Sequence, residues 1–343
     1  MTPIKNKLAL GKLKHKLLRN LLNDFISDLN DDRVIIGSKI GEDAAVIDMG
    51  NKYLVAKTDP ITFATDEIGY YAVNINVNDI VCMGATPKWF QSTILFPENK
   101  TTDELVKQVF KNIHDTCSEM NIAVIGGHTE VTAGLDRPIV IGSLLGEVDK
   151  DSLVSSSGIK LGDSLILTKG IFIEGTSIIG REKEQELINK GYDEVFIKKC
   201  KNYLYDPGIS VAKEALLATA NFKVNAMHDP TEGGLACGIA EMAIASNMGV
   251  QIEFDKIKVL PEPQELSKVF RLEPMNTISS GSLLIAIDDE YSSDLLDLLK
   301  KNKIKAEKIG TFISKEKGLR VRTPKGKVES LNYTETDEIT KLF

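Results

Sequence analysis

The sequence predicts a protein of mixed strands and helices, α+β or α/β, divided into two domains. Its 343 residues exceed what one hydrophobic core usually supports. Short apolar segments alternate with longer helical patterns in both halves of the chain. A polar connection at residues 149–158 separates the halves, and a new apolar segment follows it at residue 164. We therefore expect the domain boundary near residue 150.

The predicted elements form two series. In the first domain the strands are 46–48, 53–58, 93–96, 123–126 and 139–148, and a helix is predicted over 103–120 from the apolar face of Leu105, Val109 and Ile113. In the second domain the strands are 164–168, 251–254, 282–287, 308–314 and 319–323, and the helices are 184–201, 208–219 and 231–246. The predicted division is an N-terminal tail or helix at 1–30, domains at 31–150 and 160–325, and a C-terminal tail at 326–343.

Charge and hydrophobicity exclude several classes of protein. A net charge of −7 without a basic stripe argues against binding to nucleic acid. The sequence contains no apolar run long enough to cross a membrane, and the basic stretch at 5–19 lacks the apolar core of a secretory signal. The four cysteines lie far apart, so we expect free thiols in a reducing cytoplasm.

Three aspartates in similar settings form the main candidate site. Asp43 follows Gly41 in an acidic loop before an apolar strand, Asp59 lies at the end of the next strand, and Asp79 follows an asparagine in an apolar segment. The preference of aspartate for turns would explain any one of them alone. Together they supply the oxygen ligands that Mg²⁺ uses when it bridges nucleotide phosphates.

Residues 73–79 fit two secondary structures. Apolar and polar residues alternate there, which favours a strand, but acidic residues before the segment and Gly84 and Pro87 after it favour a helix. A helix would place Asn74 and Asn78 on one face. Buried asparagines need partners, so the segment is either a hydrogen-bonded polar seam or a helix that faces a ligand.

Two glycine-containing segments are further candidates. The first follows an apolar strand and has the features of a turn that a phosphate or metal could approach closely, although a plain strand-to-loop turn fits equally well. It consists of Gly126, Gly127, His128, Thr129 and Glu130.

The second segment has the features of a helix start. Asp229 fits the N-cap, Pro230 the first helical position and Glu232 the third, which is a capping box. Gly233 and Gly234 exceed what capping requires, and their N–H groups would form an anion site.

Other common mechanisms lack their motifs. The sequence contains neither a P-loop, a dinucleotide-binding glycine fingerprint nor a serine nucleophile elbow. Its four histidines form no His-Glu-x-x-His pair, and none has metal-ligand spacing with a cysteine. The sequence therefore does not predict a catalytic zinc site.

Six motifs occur in the order seen in the superfamily of aminoimidazole ribonucleotide (AIR) synthase, thiamine-monophosphate kinase, selenophosphate synthetase and the hydrogenase maturation factor HypE. They are GEDAAV at 41–46, KTDP at 57–60, VNDIVCMGATP at 77–87, GGHTEV at 126–131, MHDPTEGGLA at 227–236 and SSGSLLIAI at 279–287. The chain resembles the HypE-like branch most, over residues 34–321. The resemblance implies an α+β fold of two α/β domains, a homodimer whose N-terminal sheets join in a β-barrel, and a C-terminal mixed sheet with helices. It also implies ATP and Mg²⁺ in the groove between the domains.

The resemblance also assigns roles to residues. It implies that Asp43, Asp59 and Asp79 bind Mg²⁺, and that Asp43 and Asp59 act in catalysis. Lys57 is a candidate catalytic cation, although a solvated strand end explains it equally well. The residues that it implies for nucleotide binding are Asp43, Asn78, Asp79, Gly126, Gly127, His128, Thr129, Glu130, Asp229, Gly233 and Gly234. His128 stands where the family has an acidic residue; either Glu130 or a ligand from elsewhere replaces it, or His128 itself contacts the metal or phosphate. Lys12 and Lys14 are further candidate cations, although a solvated basic face explains them better.

The implied function is ATP- and Mg²⁺-dependent phosphorylation or activation of an amide-type or other acceptor, with a possible link to hydrogenase maturation. HypE ends in a cysteine that carries the reacting carbamoyl group, whereas this sequence ends Lys341-Leu342-Phe343. We therefore expect a different acceptor, either a small molecule or a group bound to a protein. The alternatives are thiamine-monophosphate kinase or AIR-synthase activity, and a nucleotide-binding maturation partner without its own small-molecule substrate.

Overall fold

The computed structural model describes Leu8 and residues 10–26, 31–38 and 41–343, and it confirms the α+β class with two mixed domains. The helices of these residues are α1 (His15–Phe25), α2 (Ile68–Cys82), α3 (Asp103–Glu119), α4 (Ile173–Glu182), α5 (Glu184–Asn189), α6 (Glu194–Asn202), α7 (Ala212–Asn221), α8 (Gly234–Ser246), α9 (Pro261–Phe270) and α10 (Asp289–Lys301). The strands are β1 (Val34–Ile36), β2 (Ala45–Asp48), β3 (Lys52–Ile61), β4 (Thr86–Pro97), β5 (Ala123–Thr132), β6 (Ile139–Asp149), β7 (Ser164–Thr168), β8 (Ala226–His228), β9 (Gly249–Glu253), β10 (Leu284–Ile287), β11 (Ala306–Ile313), β12 (Leu319–Arg322) and β13 (Val328–Ser330).

The first domain is a six-stranded sheet in the order β1-β2-β3-β6-β4-β5, with helices α2 and α3 packed against it. Strands β3 and β6 pair along their whole length, which places Asp59 opposite Gly142. A glycine is needed there because a Cβ would overlap the amide of Asn76 on α2. The close approach of helix and sheet brings the polar residues of α2 to the end of β3.

Helix α2 settles the ambiguity of residues 73–79. The segment is helical, and its asparagines are buried. It is buried nearly all round because the sheet, α3 and the second domain surround it, which explains why it lacks the one-sided apolar pattern of a surface helix. The alternation that resembled a strand therefore reflects burial on every side.

The second domain is a seven-stranded mixed sheet in the order β13-β12-β9-β11-β7-β10-β8. Strand β7 is fully buried between antiparallel neighbours β10 and β11. Residues 326–343 contribute β13, and they then bring the ring of Phe343 to 5.7 Å from that of Phe63 in the first domain. The end of the chain thus packs across both domains.

Several predicted boundaries differ from the structure. The predicted helix 184–201 is broken into α5 and α6, because Gly191 adopts a positive φ of 91° and Asp193 caps a new helix by accepting from the Phe196 N–H. Helices α4, α9 and α10 were not predicted, although α10 carries a clear acidic first turn and basic last turn. None of the described helices is long and apolar enough to span a membrane.

Candidate active site

Three buried carboxylates converge between the two domains. Asp43 precedes β2, Asp79 lies in the last turn of α2, and Asp229 follows β8. One carboxylate oxygen from each lies within 4.8 Å of the others. Their exposed fractions are 7%, 4% and 1%. The sequence predicted Asp43 and Asp79 as metal ligands, and the third carboxylate beside them is Asp229.

This carboxylate cluster has unsatisfied oxygen atoms. Oδ2 of Asp43, Oδ2 of Asp79 and both carboxylate oxygens of Asp229 are buried without a hydrogen-bond partner. Burial raises the pKa of Asp79 well above its usual value, against the opposing effect of Lys57. Burial, together with the charge of Asp43, raises the pKa of Asp229 to about 7. A hard divalent cation such as Mg²⁺ fits this set, because it would supply the missing partners and favour the ionised carboxylates.

Lys57 joins Asp59 to the cluster. Its Nζ lies 3.3 Å from Oδ2 of Asp59 and 3.2 Å from Oδ1 of Asp79. Burial alone would lower the pKa of Lys57, but the charges of Asp79, Asp59 and Asp43 outweigh this effect and raise it. Lys57 is therefore a fixed cation inside the site. Asp59 is more exposed than the three clustered carboxylates, and its metal role stays a prediction.

A buried histidine holds the first carboxylate. His228 Nδ1 lies 2.7 Å from Oδ1 of Asp43, and Nε2 lies 3.0 Å from Oε2 of Glu241. Both acceptors are carboxylates, so both ring nitrogens donate and the ring is an imidazolium. Burial would lower the pKa of His228, but Asp43 and Glu241 raise it well above its usual value.

Sequence reasoning missed His228 and Glu241 as residues that support the site. His228 stood inside the quoted MHDPTEGGLA motif, which was a usable signal. Glu241 lies in the middle of α8, and no sequence motif around it indicated a role in the site.

The asparagines of α2 act mainly as a polar seam. Asn76 accepts from the backbone N–H of Asp59 at 3.0 Å and so positions that residue. The Asn78 amide donates to the Ile209 carbonyl at 2.9 Å and accepts from the Val211 N–H at 2.9 Å, which ties α2 to the second domain. Both polar ends of Asn78 are thus engaged, and its predicted nucleotide contact stays a prediction.

The segment Gly126–Glu130 is not a turn. It lies within the extended edge strand β5 and is exposed along its length. Gly127 has a φ of +146°, and a Cβ there would overlap the Ser92 carbonyl of β4. The close approach that Gly127 permits is therefore that of the neighbouring strand, whereas a Cβ at Gly126 would meet no atom within 4 Å. His128 Nε2 lies 3.0 Å from Oε2 of Glu130, and no described contact joins this pair to the carboxylate cluster.

The predicted capping box at Asp229 is wrong. Helix α8 begins at Gly234, with Gly233 at its N-cap in a left-handed conformation. The Gly233 N–H donates to Oδ2 of Asp337 at 2.6 Å, and the Gly234 N–H donates to the Thr231 carbonyl. The chain's own Asp337 therefore occupies the Gly233 N–H, and Asp229 lies in the carboxylate cluster instead of capping the helix.

A cavity of about 390 Å³ opens beside Asp59. Its wall includes Gly11 and Lys12 of the N-terminal segment, and Lys12 Nζ donates to Thr231 Oγ1 at 2.8 Å. Glu174 also lines it, is 5% exposed and has an unpartnered Oε2. Burial raises the pKa of Glu174 to about 8. Two larger depressions, of about 950 and 920 Å³, are rich in lysines and contain none of the clustered carboxylates.

Two mixed domains with a carboxylate–lysine site between them define the class of protein, and comparison with known families agrees. The family model "AIR synthase related protein, N-terminal domain" matches residues 41–148, and "AIR synthase related protein, C-terminal domain" matches residues 160–322. The chain belongs to the AIR synthase related family.

Individual relatives cover nearly the whole chain. A protein of Methanocaldococcus jannaschii, provisionally named as a hydrogenase expression/formation protein, is 30% identical over 327 residues, which is 92% of each chain. The crystal structure of Escherichia coli HypE covers 96% of this chain and 100% of its own, with a TM-score of 0.74 and 19% identity. A structure of HypE in complex with ATP covers 94% and 96%, with a TM-score of 0.71 and 19% identity. At these identities the two structures establish the similarity of fold.

Proposed function

We propose that this chain is an ATP- and Mg²⁺-dependent enzyme that phosphorylates or otherwise activates an acceptor, in the manner of a HypE-like maturation protein. The observation that carries the proposal is the set of unpartnered carboxylate oxygens on Asp43, Asp79 and Asp229 beside Lys57. Acidic residues buried at this density are unfavourable without a cation. The similarity to a hydrogenase expression/formation protein and to an ATP-bound HypE supports a nucleotide as the accompanying ligand.

Different side chains of the site would have different roles in phosphoryl transfer. Asp43, Asp79 and Asp229 would hold the metal, which would neutralise phosphate charge when bound. Lys57 supplies a cation that does not depend on the metal. His228 fixes the orientation of Asp43, and Asn76 fixes that of Asp59. This catalysis relies on positioning and on charge, which rigid buried groups provide.

The cavity beside Asp59 is suited to the acceptor. Besides Asp59, its acidic wall contains Glu174 and Glu232, and Ser280 contributes a buried hydroxyl. At neutral pH a carboxyl group with a pKa of about 8 is mostly protonated, so it offers a donor and an acceptor side by side. An amide-type group presents the complementary pair, whereas a phosphorylated acceptor would meet the carboxylates of Asp59 and Glu232, with Lys12 as the one cation among the described lining residues. This favours an amide-type acceptor over thiamine monophosphate.

The deciding experiment measures ADP release with Mg²⁺ and ATP in the presence of three acceptors. These are a carbamoylated thiol peptide, thiamine monophosphate and formylglycinamidine ribonucleotide. We expect the carbamoylated peptide to stimulate release most, and Asp43→Asn to abolish the stimulation. If Mg·ATP neither binds nor yields ADP with any acceptor, the proposed function is wrong.

We further propose that the chain acts as a homodimer joined through its N-terminal sheets in a β-barrel. Strand β5 is an edge strand that exposes Val124, Ile125 and Val131 to solvent. Exposed apolar edges of this kind favour pairing with another chain. Light scattering should then give twice the 37.7 kDa mass of one chain.

A further inference from the structure

A second group of metal-binding side chains lies between α1 and α8. It consists of His15, the first residue of α1, and of Cys237 and Glu241, which lie one turn apart on the same face of α8. One possible ligand atom from each lies within 4.8 Å of the others. His15 Nε2 is 3.3 Å from Oε1 of Glu241. No motif in the sequence pointed to this group, because His15 and Cys237 lie far apart along the chain.

We propose that His15, Cys237 and Glu241 form a binding site for a zinc-like transition-metal ion, distinct from the magnesium site. Imidazole, thiolate and carboxylate are the side chains that bind Zn²⁺ in proteins, whereas Mg²⁺ selects oxygen ligands. Three protein ligands leave a fourth position for water or another ligand.

The separations are close to those of a tetrahedral site. Metal–ligand distances of about 2.0–2.3 Å require ligand atoms roughly 3.3–3.8 Å apart. The His15–Glu241 distance of 3.3 Å already meets this requirement. The 4.8 Å limit on the group leaves roughly 1–1.5 Å of adjustment for the thiol.

The surroundings of the group resemble the outer shell of a metal centre. Nδ1 of His15 lies 3.6 Å from Oε1 of Glu335, whose Oε2 accepts from the His15 backbone N–H at 2.7 Å. Oε2 of Glu241 is held at 3.0 Å by His228. Carboxylates and donors in these positions orient metal ligands in known sites. Cys237 is 2% exposed, and it forms no disulfide in the described part of the chain.

Binding would replace protons by the metal. The Cys237 thiol would lose its proton to solvent as the metal–sulfur bond forms, and His15 would bind as a neutral ring. Burial, together with Glu241, raises the pKa of the Cys237 thiol, so without a metal it stays protonated and unreactive.

The site would fasten α1 to the second domain. Gly11 and Lys12, just before α1, line the cavity beside Asp59. A metal held by His15 and α8 would therefore hold this cavity wall in place. Glu241 also connects the two sites, because it reaches Asp43 through His228.

Co²⁺ titration of the chelator-treated, full-length protein tests the proposal without nucleotide or activity. With excess Mg²⁺ present to occupy the carboxylate cluster, we expect one further Co²⁺ per chain and a thiolate-to-cobalt charge-transfer band, which Zn²⁺ removes by competition. Cys237→Ala should lose the band, and Glu335→Gln should weaken binding about 10–100-fold. Cys200→Ala, which removes another buried helical cysteine, should keep both the band and the affinity.

The outcomes separate a metal site from a mere ion pair. Absence of cobalt binding, or a band that persists in Cys237→Ala, would overturn the proposal. If Cys237→Ala fails to fold, His15→Gln at the start of α1 provides the test, because it should lower the affinity for Co²⁺ by at least the same factor. Metal should also protect Lys14, Lys16 and Arg19 from trypsin in the wild type, and not in His15→Gln.

Discussion

Helix α2 and strand β5 both carry polar residues that the sequence marked as a nucleotide site, and they present them in opposite ways. In α2, Asn76, Asn78 and Asp79 are buried, and they contact β3, the second domain and the carboxylate cluster. In β5, His128 and Glu130 lie on an open sheet edge with side-chain exposures of 64% and 48%. The two motifs looked equally suggestive as sequence.

The difference in burial between α2 and β5 shows which of the two candidate binding segments has its polar residues positioned within one chain. Hydrogen bonds position the polar groups of α2 on several sides, and Oδ2 of Asp79 beside them has no partner and is open to a ligand. Those of β5 contact only each other, and a role in binding requires a further surface, such as a second chain or the ligand itself. Substitutions in α2 and in β5 can test this contrast.

The largest effect on ligand binding is expected in the interior. Asp79→Asn should abolish the rise in melting temperature that Mg·ATP gives the wild type, since the variant lacks a carboxylate of the cluster. For the wild type, ligand at 100 times its Kd adds about 2.7 kcal/mol of stability. Without ligand the variant should melt higher at pH 7, because burial and three neighbouring aspartates penalise the charged form of Asp79.

His128→Gln is the matched control on β5. If Mg·ATP still raises the melting temperature of this variant, the nucleotide site consists of α2 and the residues around it, without β5. A lost shift would show that the edge strand completes the site, and dependence on protein concentration would then identify a second chain as the contributor.

The sequence was most informative where local chemistry decides the structure. The aspartates at the ends of β3 and α2 lie beside the proposed site because apolar segments of definite length precede them. The helical state of α2 was recognisable from its flanks. Lys57 was a weak candidate from sequence, and the structure places it between two carboxylates.

Contacts between residues far apart in the sequence determine the features that were predicted wrongly. Whether Gly126 and Gly127 form a turn depends on β4, which pairs with them from thirty-five positions earlier in the chain. Whether Asp229 caps α8 depends on Asp337, which occupies the N–H group of Gly233. No local sequence pattern reveals that β4 and Asp337 make these contacts. The turn and the cap were predicted from neighbouring residues alone, and contacts between distant parts of the chain produced a different structure.

The second prediction tests the role of the glycines in β5. Gly127→Ala should destabilise the protein by about 3 kcal/mol or more, because it adds an unfavourable positive φ and an overlap with the Ser92 carbonyl. Gly134→Ala is the control: it also has a positive φ, of 81°, but meets no atom within 4 Å, so it should cost only about 1–2 kcal/mol. Similar midpoints in urea for the two variants would mean that β5 can leave β4 and form the ligand-facing turn.

The third prediction concerns the pH dependence of the interior. The pKa of Glu174 is raised to about 8 by burial, and Asp337, Glu232 and Asp229 add to the shift while Ser280 opposes it. An acid whose folded pKa lies above its unfolded value of 4.5 contributes a stability that is complete below that value and falls as pH rises towards 8. The slope approaches about 1.4 kcal/mol per pH unit. Glu174→Gln should remove this component, which urea unfolding at several pH values from 5 to about 8 would detect. An unchanged slope would mean that Glu174 is solvated through the cavity.

The smallest effect is expected at the exposed pair on β5. A double-mutant cycle with His128→Ala and Glu130→Ala should give a coupling of about 0.2–1 kcal/mol, because solvent screens a polar contact of this exposure. This coupling energy is the one expected when the edge of β5 is exposed to solvent. If β5 pairs with a second copy of the chain, water leaves the pair and the coupling should increase with protein concentration, in step with the mass measured by light scattering. A small coupling in a protein that is fully dimeric would place the dimer contact elsewhere and leave the edge of β5 open to solvent.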